Sequence, residues 1–216
     1  MKKKVLIFDF DGVILNSNKI KDEAFLSLYK KYGKKFSNYV LNHHKKNRGI
    51  SRFKKFENYH KKLFGKNIKQ KEMDDLNQNM KKIIINKMNK VRFIYGVKNF
   101  ISKFYKKFDL FIISSSPENE LIEICKKRKI STYFIQILGS PNDKFKNLNK
   151  IINNFNYKKK QILYLGDSFS DYVFAKKSNI EFIGVRNESF KSEVEISMTI
   201  NHFVNFSEIL KKYYDK

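Results

Sequence analysis

Short apolar runs alternate with longer amphipathic stretches along this 216-residue chain. Continuous apolar runs bounded by polar residues are typical of strands that are buried on both faces of a parallel sheet. Runs of this kind predict strands near residues 4–9, 109–114, 134–138, 161–166, 181–185 and 197–200. Because helical patterns separate them, we predict an α/β fold with a doubly wound parallel sheet of Rossmann type, in which ligands bind at the carboxyl ends of the strands.

The stretch between the first two strands has helical periodicity and contains no strand pattern. Side chains suited to a buried helix face recur three and four positions apart: Ile20, Ala24, Leu28 and Tyr32; Phe53, Phe56, His60, Leu63 and Phe64; Met73, Leu76, Met80, Ile83 and Ile84. A further helix, expected at residues 96–108, leads back to the sheet. We therefore predict a core formed by residues 1–15 and 95–216, and a helical unit of residues 16–94 inserted after the first strand.

Two carboxylates close the first strand. Asp9 and Asp11 follow an apolar run, and side chains two positions apart on an extended backbone point the same way. Burial of both costs solvation free energy unless a cation or a reaction uses them. Gly12 then allows a sharp turn that leaves backbone close to a ligand. The pattern indicates a nucleophile, a proton-transfer group and a divalent ion within one small volume.

A second pair of carboxylates follows the strand expected at residues 161–166. Asp167 ends the run, and Asp171 lies four residues on, in the first turn of a helix that we expect to start near Ser168. Beside the carboxylates of the first strand, this pair would be strongly repelled without a cation. A hard divalent ion with oxygen ligands, most simply Mg²⁺, resolves the repulsion.

Serines close the second apolar strand. Ser114 ends the run and Ser115 follows it, while Pro117 suits the first position of the next helix. The free backbone N–H groups of that helix would face the cleft, so Ser114 could donate a hydrogen bond to a phosphoryl oxygen. Ordinary capping of the helix is the alternative explanation.

Four segments of the chain, in order, resemble the motifs of the haloacid dehalogenase-like hydrolase superfamily: Asp9-Phe10-Asp11-Gly12-Val13, Ser114, Lys144, and Gly166-Asp167 with Asp171. Each segment alone has an ordinary structural explanation, but the occurrence of all four in this order does not. The resemblance implies that Asp9 attacks phosphorus and forms an aspartyl-phosphate. It also implies that Asp11 protonates the leaving group and then deprotonates the hydrolytic water.

The remaining roles also come from the resemblance. It implies a Mg²⁺ ion held by four residues: Asp9, Asp11 through its backbone carbonyl, Asp167 and Asp171. It implies further that Ser114 and Lys144 neutralise charge on the transferring phosphoryl group. Many relatives have a proline directly after this lysine, where the chain has Phe145. Lys146 and Lys150 are therefore alternatives for the same position.

The helical insertion resembles the cap of the β-phosphoglucomutase and phosphoglycolate phosphatase branch, which closes over the site and excludes bulk water. Arg48-Gly49-Ile50-Ser51-Arg52 resembles the stretch with which such caps hold the substrate's non-reacting phosphate or carboxylate. We expect five residues to bind substrate: Gly49, Ser51, Arg52, Ser115 and Lys21, which stands where β-phosphoglucomutase has a histidine. A simple helix start with an exposed arginine is the alternative.

Composition excludes several classes of protein. The net charge of +25 invites a nucleic-acid hypothesis, but 41 lysines and five arginines are spread over the whole chain without a zinc-finger or RNA-binding signature. No apolar run is long enough for a membrane span. Carboxylates interrupt the apolar stretch that follows the basic N-terminus, which argues against a signal peptide. We expect a cytoplasmic monomer or homodimer with no specific nucleic-acid partner and no membrane partner.

The leading hypothesis is therefore a Mg²⁺-dependent phosphatase acting on a small phosphorylated metabolite of the phosphoglycolate or sugar phosphate type. A β-phosphoglucomutase-like phosphomutase shares the motifs and the cap, although Lys21 in place of histidine argues against it. A haloacid dehalogenase would need neither the metal nor Asp11. A basic nucleic-acid-binding protein on a vestigial fold would require broken motif carboxylates, and all of them are intact.

Overall fold

The computed structural model describes residues 4–186 and 198–214. Strand β1 (Val5–Phe8) precedes four helices: α1 (Asn18–Tyr29), α2 (Lys34–Lys46), α3 (Arg52–Phe64) and α4 (Gln70–Met88). The chain continues through α5 (Val97–Phe104), β2 (Asp109–Pro117), α6 (Glu118–Lys127), β3 (Gln136–Ser140), α7 (Lys144–Phe155), β4 (Ile162–Gly166), α8 (Phe169–Ser178), β5 (Glu181–Val185), β6 (Thr199–Ile200) and α9 (Phe206–Tyr214). Short 3₁₀ turns lie at Lys30–Tyr32, Ser131–Tyr133 and Lys159–Gln161.

The strands form one parallel sheet with the order β3-β2-β1-β4-β5-β6. Strand β1 is central, and its Leu6 pairs with Leu110 of β2 and Leu163 of β4. The predicted doubly wound α/β fold is confirmed. Strand β2 runs three residues beyond the predicted end at residue 114, with an irregular register between Ile113 and Pro117, so α6 starts one residue after the proline. Of the sixth predicted strand, residue 197 lies outside the described residues.

Alternate residues of β1 face opposite layers of helices, because side chains alternate along an extended backbone. Leu6 and Phe8 belong to a core that also contains apolar residues of α5, α6 and α9. Val5 and Ile7 belong to the other core, which includes residues of α7 and α8. Every side chain of β1 is buried, as the continuous apolar run predicts. This double coverage leaves the strand ends as the accessible part of the sheet.

Helices α1 to α4 form the stretch between β1 and α5, and no named strand occurs among described residues 15–95. Aromatic side chains make the centre of this stretch: Tyr59 of α3 packs edge-on against Phe25 and Tyr29 of α1, with ring centroids 6.1 and 5.3 Å apart. The two connections to the sheet lie side by side, since Asn16 N–H donates to the Arg92 carbonyl at 2.9 Å. This neighbouring entry and exit fits an inserted unit, and the division at residues 15 and 95 stays a prediction.

Candidate active site

The predicted acidic residues meet at the carboxyl ends of the central strands. Asp9 follows β1, Asp167 follows β4, and Asp171 lies in the first turn of α8. Carboxylate oxygens of these three residues all lie within 4.8 Å of one another. The three residues are 1–7% exposed, so little water screens the repulsion between them.

Helix α8 fixes the position of Asp171. Ser168 is the N-cap, and its side chain and that of Asp171 each accept a hydrogen bond from the other's backbone N–H. The hydroxyl of Ser168 also donates to Asp171 Oδ2 at 2.5 Å. One carboxylate oxygen therefore caps the helix, while Oδ1 faces the cleft. A helix that begins near Ser168 was predicted, and the structure confirms it.

Gly12 brings backbone against the acidic cluster. It adopts φ +81°, a left-handed conformation that favours glycine. A Cβ atom at this position would clash with the Asp167 carboxylate and with the Asn18 side chain. The turn after Asp11 therefore packs against Asp167 only because the residue has no side chain.

Lys144 brings an ammonium group to the cluster. It is the first residue of α7, which Asp143 caps by accepting from Lys146 N–H. Its Nζ donates to Asp9 Oδ1 at 3.1 Å, to Asp171 Oδ1 at 2.5 Å and to the Tyr164 hydroxyl at 2.7 Å. The two rival lysines, at positions 146 and 150, are exposed. The structure thus brings Lys144, and neither rival, to the nucleophile position.

The carboxylates of this cluster repel one another. Burial raises the pKa of Asp9 well above its ordinary value, and Asp171 and Asp167 raise it further, against the effect of Lys144. Burial lowers the pKa of the Lys144 ammonium, but the Asp171 and Asp9 carboxylates outweigh it, so the net shift is upward. Three carboxylates therefore lie close to the Lys144 ammonium, and the Asn18 amide nitrogen donates to Asp167 Oδ2 at 2.7 Å. Hard oxygen donors placed this close together fit one divalent ion such as Mg²⁺.

Asp11 has a different environment from Asp9. Its Oδ1 accepts from the Ser17 hydroxyl at 2.6 Å, and its Oδ2 accepts from the Ser116 hydroxyl at 2.9 Å. Lys21 Nζ lies 3.4 Å from Oδ2 and donates to Ser116 Oγ at 2.9 Å. Burial raises the pKa of Asp11, but Lys21 and these hydroxyls outweigh burial and lower it. Neighbouring carboxylates on one strand end are therefore shifted in opposite directions, which is typical of paired roles in acid–base chemistry.

The three serines near the carboxyl end of β2 line the same cleft as these acids. The Ser114 hydroxyl accepts from Ser116 N–H at 3.2 Å. The Ser115 hydroxyl donates to the Gly49 carbonyl at 2.5 Å, and a Cβ atom at Gly49 would clash with Ser170. The segment before α3 is thus docked directly on the sheet end and covers the site.

Arg52 is not the exposed arginine that a simple helix start would give. It is buried, and its guanidinium makes a two-pronged ion pair with Glu120 of α6, with Nη1 2.9 Å from Oε1, and a hydrogen bond to Asn77 at 3.3 Å. Ser51 caps α3, as predicted, by accepting from Lys54 N–H at 3.5 Å. Arg52 and Gly49 line the cleft, as does Lys21. Their contacts with substrate, and that of Ser51, stay predictions.

Sequence reasoning missed several residues that the structure brings to the site: Ser17, Asn18, His44, Lys55, Ser116, Glu120 and Tyr164. A buried tyrosine in the β4 run was visible as a break in its aliphatic pattern, and Ser116 lay beside the two serines that close the second strand. The other five carry no local signal, because tertiary packing that the sequence does not specify brings them to the site.

A family model described as haloacid dehalogenase-like hydrolase matches residues 6–185. No curated protein matches the chain significantly. Within residues 4–186 and 198–214, every helix is too short or too polar to cross a membrane.

Solved structures share the fold over almost the whole chain. A β-phosphoglucomutase from Clostridium difficile superposes with a TM-score of 0.77 at 17% identity, over 99% of this chain and 98% of that one. A predicted phosphoglycolate phosphatase from Haemophilus somnus gives 0.74 at 18% identity, over 97% and 99%. A haloacid dehalogenase-type hydrolase from Bacillus subtilis, bound to magnesium, gives 0.71 at 14% identity, over 98% and 100%. At identities this low, the superpositions establish that these chains share a fold.

The buried ion pair gives a first prediction. Arg52→Met leaves the Glu120 carboxylate buried without its partner, so the free energy of unfolding in urea should fall by about 3–5 kcal/mol. Replacing both residues by methionine should restore most of the loss, because no charge then stays buried. Lys87→Met, which breaks the exposed ion pair with Glu23, is the matched control and should cost under about 1 kcal/mol. Equal losses for Arg52→Met and Lys87→Met would contradict the assignment.

Lys55 gives a second prediction, on pH dependence. Burial, together with the charges of Arg48 and Lys21, lowers its pKa to about 7. The unfolded chain then binds more protons than the folded one between about pH 7 and pH 10, so the wild-type free energy of unfolding rises across that window. Lys55→Met removes this rise, which is roughly 1.4 kcal/mol for each pH unit of the window. The free energy of unfolding of the variant, minus that of wild type, should therefore be larger at pH 7 than at pH 9.5. Paired urea titrations of the two proteins measure this difference. A difference that does not depend on pH would show that the pKa of the lysine is not lowered.

Proposed function

The chain belongs to the haloacid dehalogenase-like hydrolases, as the order of its motifs predicted, and from its site we propose a Mg²⁺-dependent phosphatase that acts through an aspartyl-phosphate. One observation carries the proposal. The buried Asp9 carboxylate lies 3.1 Å from Lys144 Nζ, and its oxygen is within 4.8 Å of carboxylate oxygens of Asp167 and Asp171. The chemistry needs a nucleophile, a fixed cation and a place for a divalent ion in one cleft, and this arrangement supports all three roles.

Asp9 is the nucleophile of this proposal. Its Oδ1 is held by Lys144, so the other oxygen is available to attack phosphorus and form the acyl phosphate. Lys144 and the Ser114 hydroxyl would neutralise charge on the phosphoryl oxygens. Asp9, Asp167, Asp171 and the Asp11 backbone carbonyl would hold Mg²⁺. When bound, that ion supplies further charge neutralisation to the transferring group.

Asp11 is the proton-transfer group. Its lowered pKa keeps it ionised near neutral pH, which suits deprotonation of the water that hydrolyses the acyl phosphate. Protonation of the leaving alkoxide requires Asp11 to carry a proton. The approach of a phosphate dianion raises its pKa, because a nearby like charge disfavours ionisation. Lys21, at 3.4 Å, limits that rise and helps return Asp11 to the basic form.

The substrate of this proposal is a small phosphorylated metabolite of the phosphoglycolate or sugar phosphate type. Helices α1 to α4 cover the cleft, and contacts such as Ser115 to Gly49 hold them on the sheet. Such a cover would keep bulk water from the acyl phosphate. A phosphomutase would need the same cover, so product analysis must separate the two: a phosphatase releases inorganic phosphate, whereas a mutase yields an isomeric phosphate ester.

The third prediction tests nucleophile and metal together. With p-nitrophenyl phosphate, phosphate release should require Mg²⁺, stop in excess chelator, and be abolished by Asp9→Asn. Asp75→Asn, an exposed substitution on α4 with the same change in charge, is the matched control and should leave the rate unchanged. Mg²⁺ should also raise the melting temperature of wild type but not of Asp167→Asn, because binding to the folded state alone stabilises it. Full activity in chelator would remove the metal from the proposal, and an active Asp9→Asn enzyme would remove the nucleophile.

A fourth prediction concerns Asp11. Asp11→Asn should slow turnover by about 10²- to 10⁴-fold, the usual contribution of positioned acid–base catalysis. The loss in the phosphorylation step should be smaller for aryl phosphates with good leaving groups, since these need little protonation. Single-turnover kinetics on a leaving-group series measures this difference. A loss independent of the leaving group would contradict the role of Asp11 as an acid.

A further inference from the structure

The helical side of the cleft contains one cation without a carboxylate partner among the described residues. Resting on the phosphatase activity proposed above, we propose that the Lys55 ammonium binds a second anionic group of the substrate, and that the substrate is a phosphate monoester that also carries a carboxylate or a second phosphate. Lys55 lies on α3 and lines the same cleft as Asp9 and Lys144. The reacting phosphate would lie at the sheet end and the second anion at α3.

Charge pairing sets Lys55 apart from the other cations that line the helical side. Lys21 lies 3.4 Å from Asp11, and Arg48 lies 2.9 Å from Asp22. Arg52 is paired with Glu120 in a buried contact. Across the described part of the chain, Lys55 Nζ has no carboxylate oxygen within 4 Å, and its polar neighbour is His44 Nδ1 at 2.9 Å. In this proposal, the anion-binding role expected of Arg52 passes to Lys55.

The neighbouring histidine does not supply a negative charge. An ammonium can only donate, so His44 Nδ1 accepts from Lys55 and the ring proton lies on Nε2, which is 3.3 Å from Asp22 Oδ1. Burial lowers the pKa of His44 to about 3, which keeps the ring neutral. Asp22 is already paired with Arg48. Lys55, Arg48, Asp22 and His44 together thus carry one positive charge that no described side chain balances.

Burial of this surplus positive charge costs solvation free energy unless a bound ligand neutralises the charge. Lys55 is 2% exposed, and its Nζ lies 5.3 Å from the centre of the Phe25 ring. An isolated buried ammonium is strongly unfavourable. A carboxylate or phosphate at the ammonium would complete the pair, and its bond would be charge-assisted. The lowered pKa of Lys55 would then rise towards its ordinary value, and the bound anion would hold the proton.

The test compares substrates that differ only in the second anion. The first pair is 2-phosphoglycolate and ethyl phosphate, and a longer pair is fructose 1,6-bisphosphate and fructose 6-phosphate. Wild type should prefer the second-anion member of at least one pair. Lys55→Met should lower kcat/KM for that member by about 10- to 100-fold, the range for loss of a charged hydrogen bond, and change its matched monoester by less than about 3-fold. Lys55→Arg should keep part of the preference, since it keeps the charge.

Lys54→Met is the matched control, because it removes an exposed lysine from the same helix and lowers the net charge equally. It should change neither member of a pair. A preference that survives Lys55→Met, equal losses for both members, or no preference in either pair would overturn the inference while leaving the phosphatase activity standing. If wild type hydrolyses none of the four esters, the proposed function fails instead. Calorimetric binding of each pair to Asp9→Asn, with and without Lys55→Met, then decides the inference independently of turnover.

A measurement on wild type covers the case in which Lys55→Met does not fold. Affinity for the second-anion member should fall as pH rises from 7 to 9, since free Lys55 loses its proton, while affinity for the matched monoester should change less. The charged and titratable groups that face Lys55 are Arg48, Lys21, Asp22, Asp11 and His44, and they act on both members of each pair. Parallel pH profiles for the two members would overturn the inference.

Discussion

Lys144 holds together a site that would otherwise repel itself. Its ammonium bridges Asp9, directly after the central strand, and Asp171 on α8, and it tolerates burial because both carboxylates contact it. Parallel strands place their carboxyl ends at one edge of the sheet, so acidic side chains that follow the strands come close together in a fold of this kind. The result of that concentration is strong repulsion among buried carboxylates. The fixed lysine offsets part of the repulsion and leaves room for a divalent ion, which is the condition for the chemistry we propose.

The cover over the site depends on buried charge as much as on apolar packing. Arg52 reaches from α3 to Glu120 on α6, and Lys21 reaches from α1 to Asp11 at the end of β1. Each contact joins the helical stretch to the sheet domain at a point where water is scarce. Separating the partners of such an ion pair leaves a buried charge uncompensated. These pairs therefore favour one docked arrangement of the helices on the sheet more strongly than apolar contacts would. Lys55 differs because its partner is a neutral ring, and the surplus charge faces the cleft.

The large positive charge of the chain is mostly unrelated to these contacts. Lys146 and Lys150 are exposed, whereas the lysines that matter, Lys21, Lys55 and Lys144, are buried or nearly so and have short contacts with named partners. Dispersed surface lysines would attract anionic substrates over a long range and weaken with salt. In our proposal, selection among those substrates belongs to the few buried cations. Net charge and specificity would then be carried by different lysines.

The sequence by itself determined the parallel sheet and the acidic cluster. An apolar run that ends in carboxylates indicates local properties, namely that the strand is buried and that the side chains at its end point in one direction. Asp9, Asp11, Asp167 and Asp171 were identified this way, and Lys144 by its place in the order of motifs. The tertiary structure alone decided which charges pair across the cleft. It paired Arg52 with Glu120, left Lys55 beside His44, and brought Ser17 and Asn18 to the acids. Those contacts join positions from 6 to 149 residues apart through helix packing, and a periodic pattern shows which face of a helix is buried but not what that face meets.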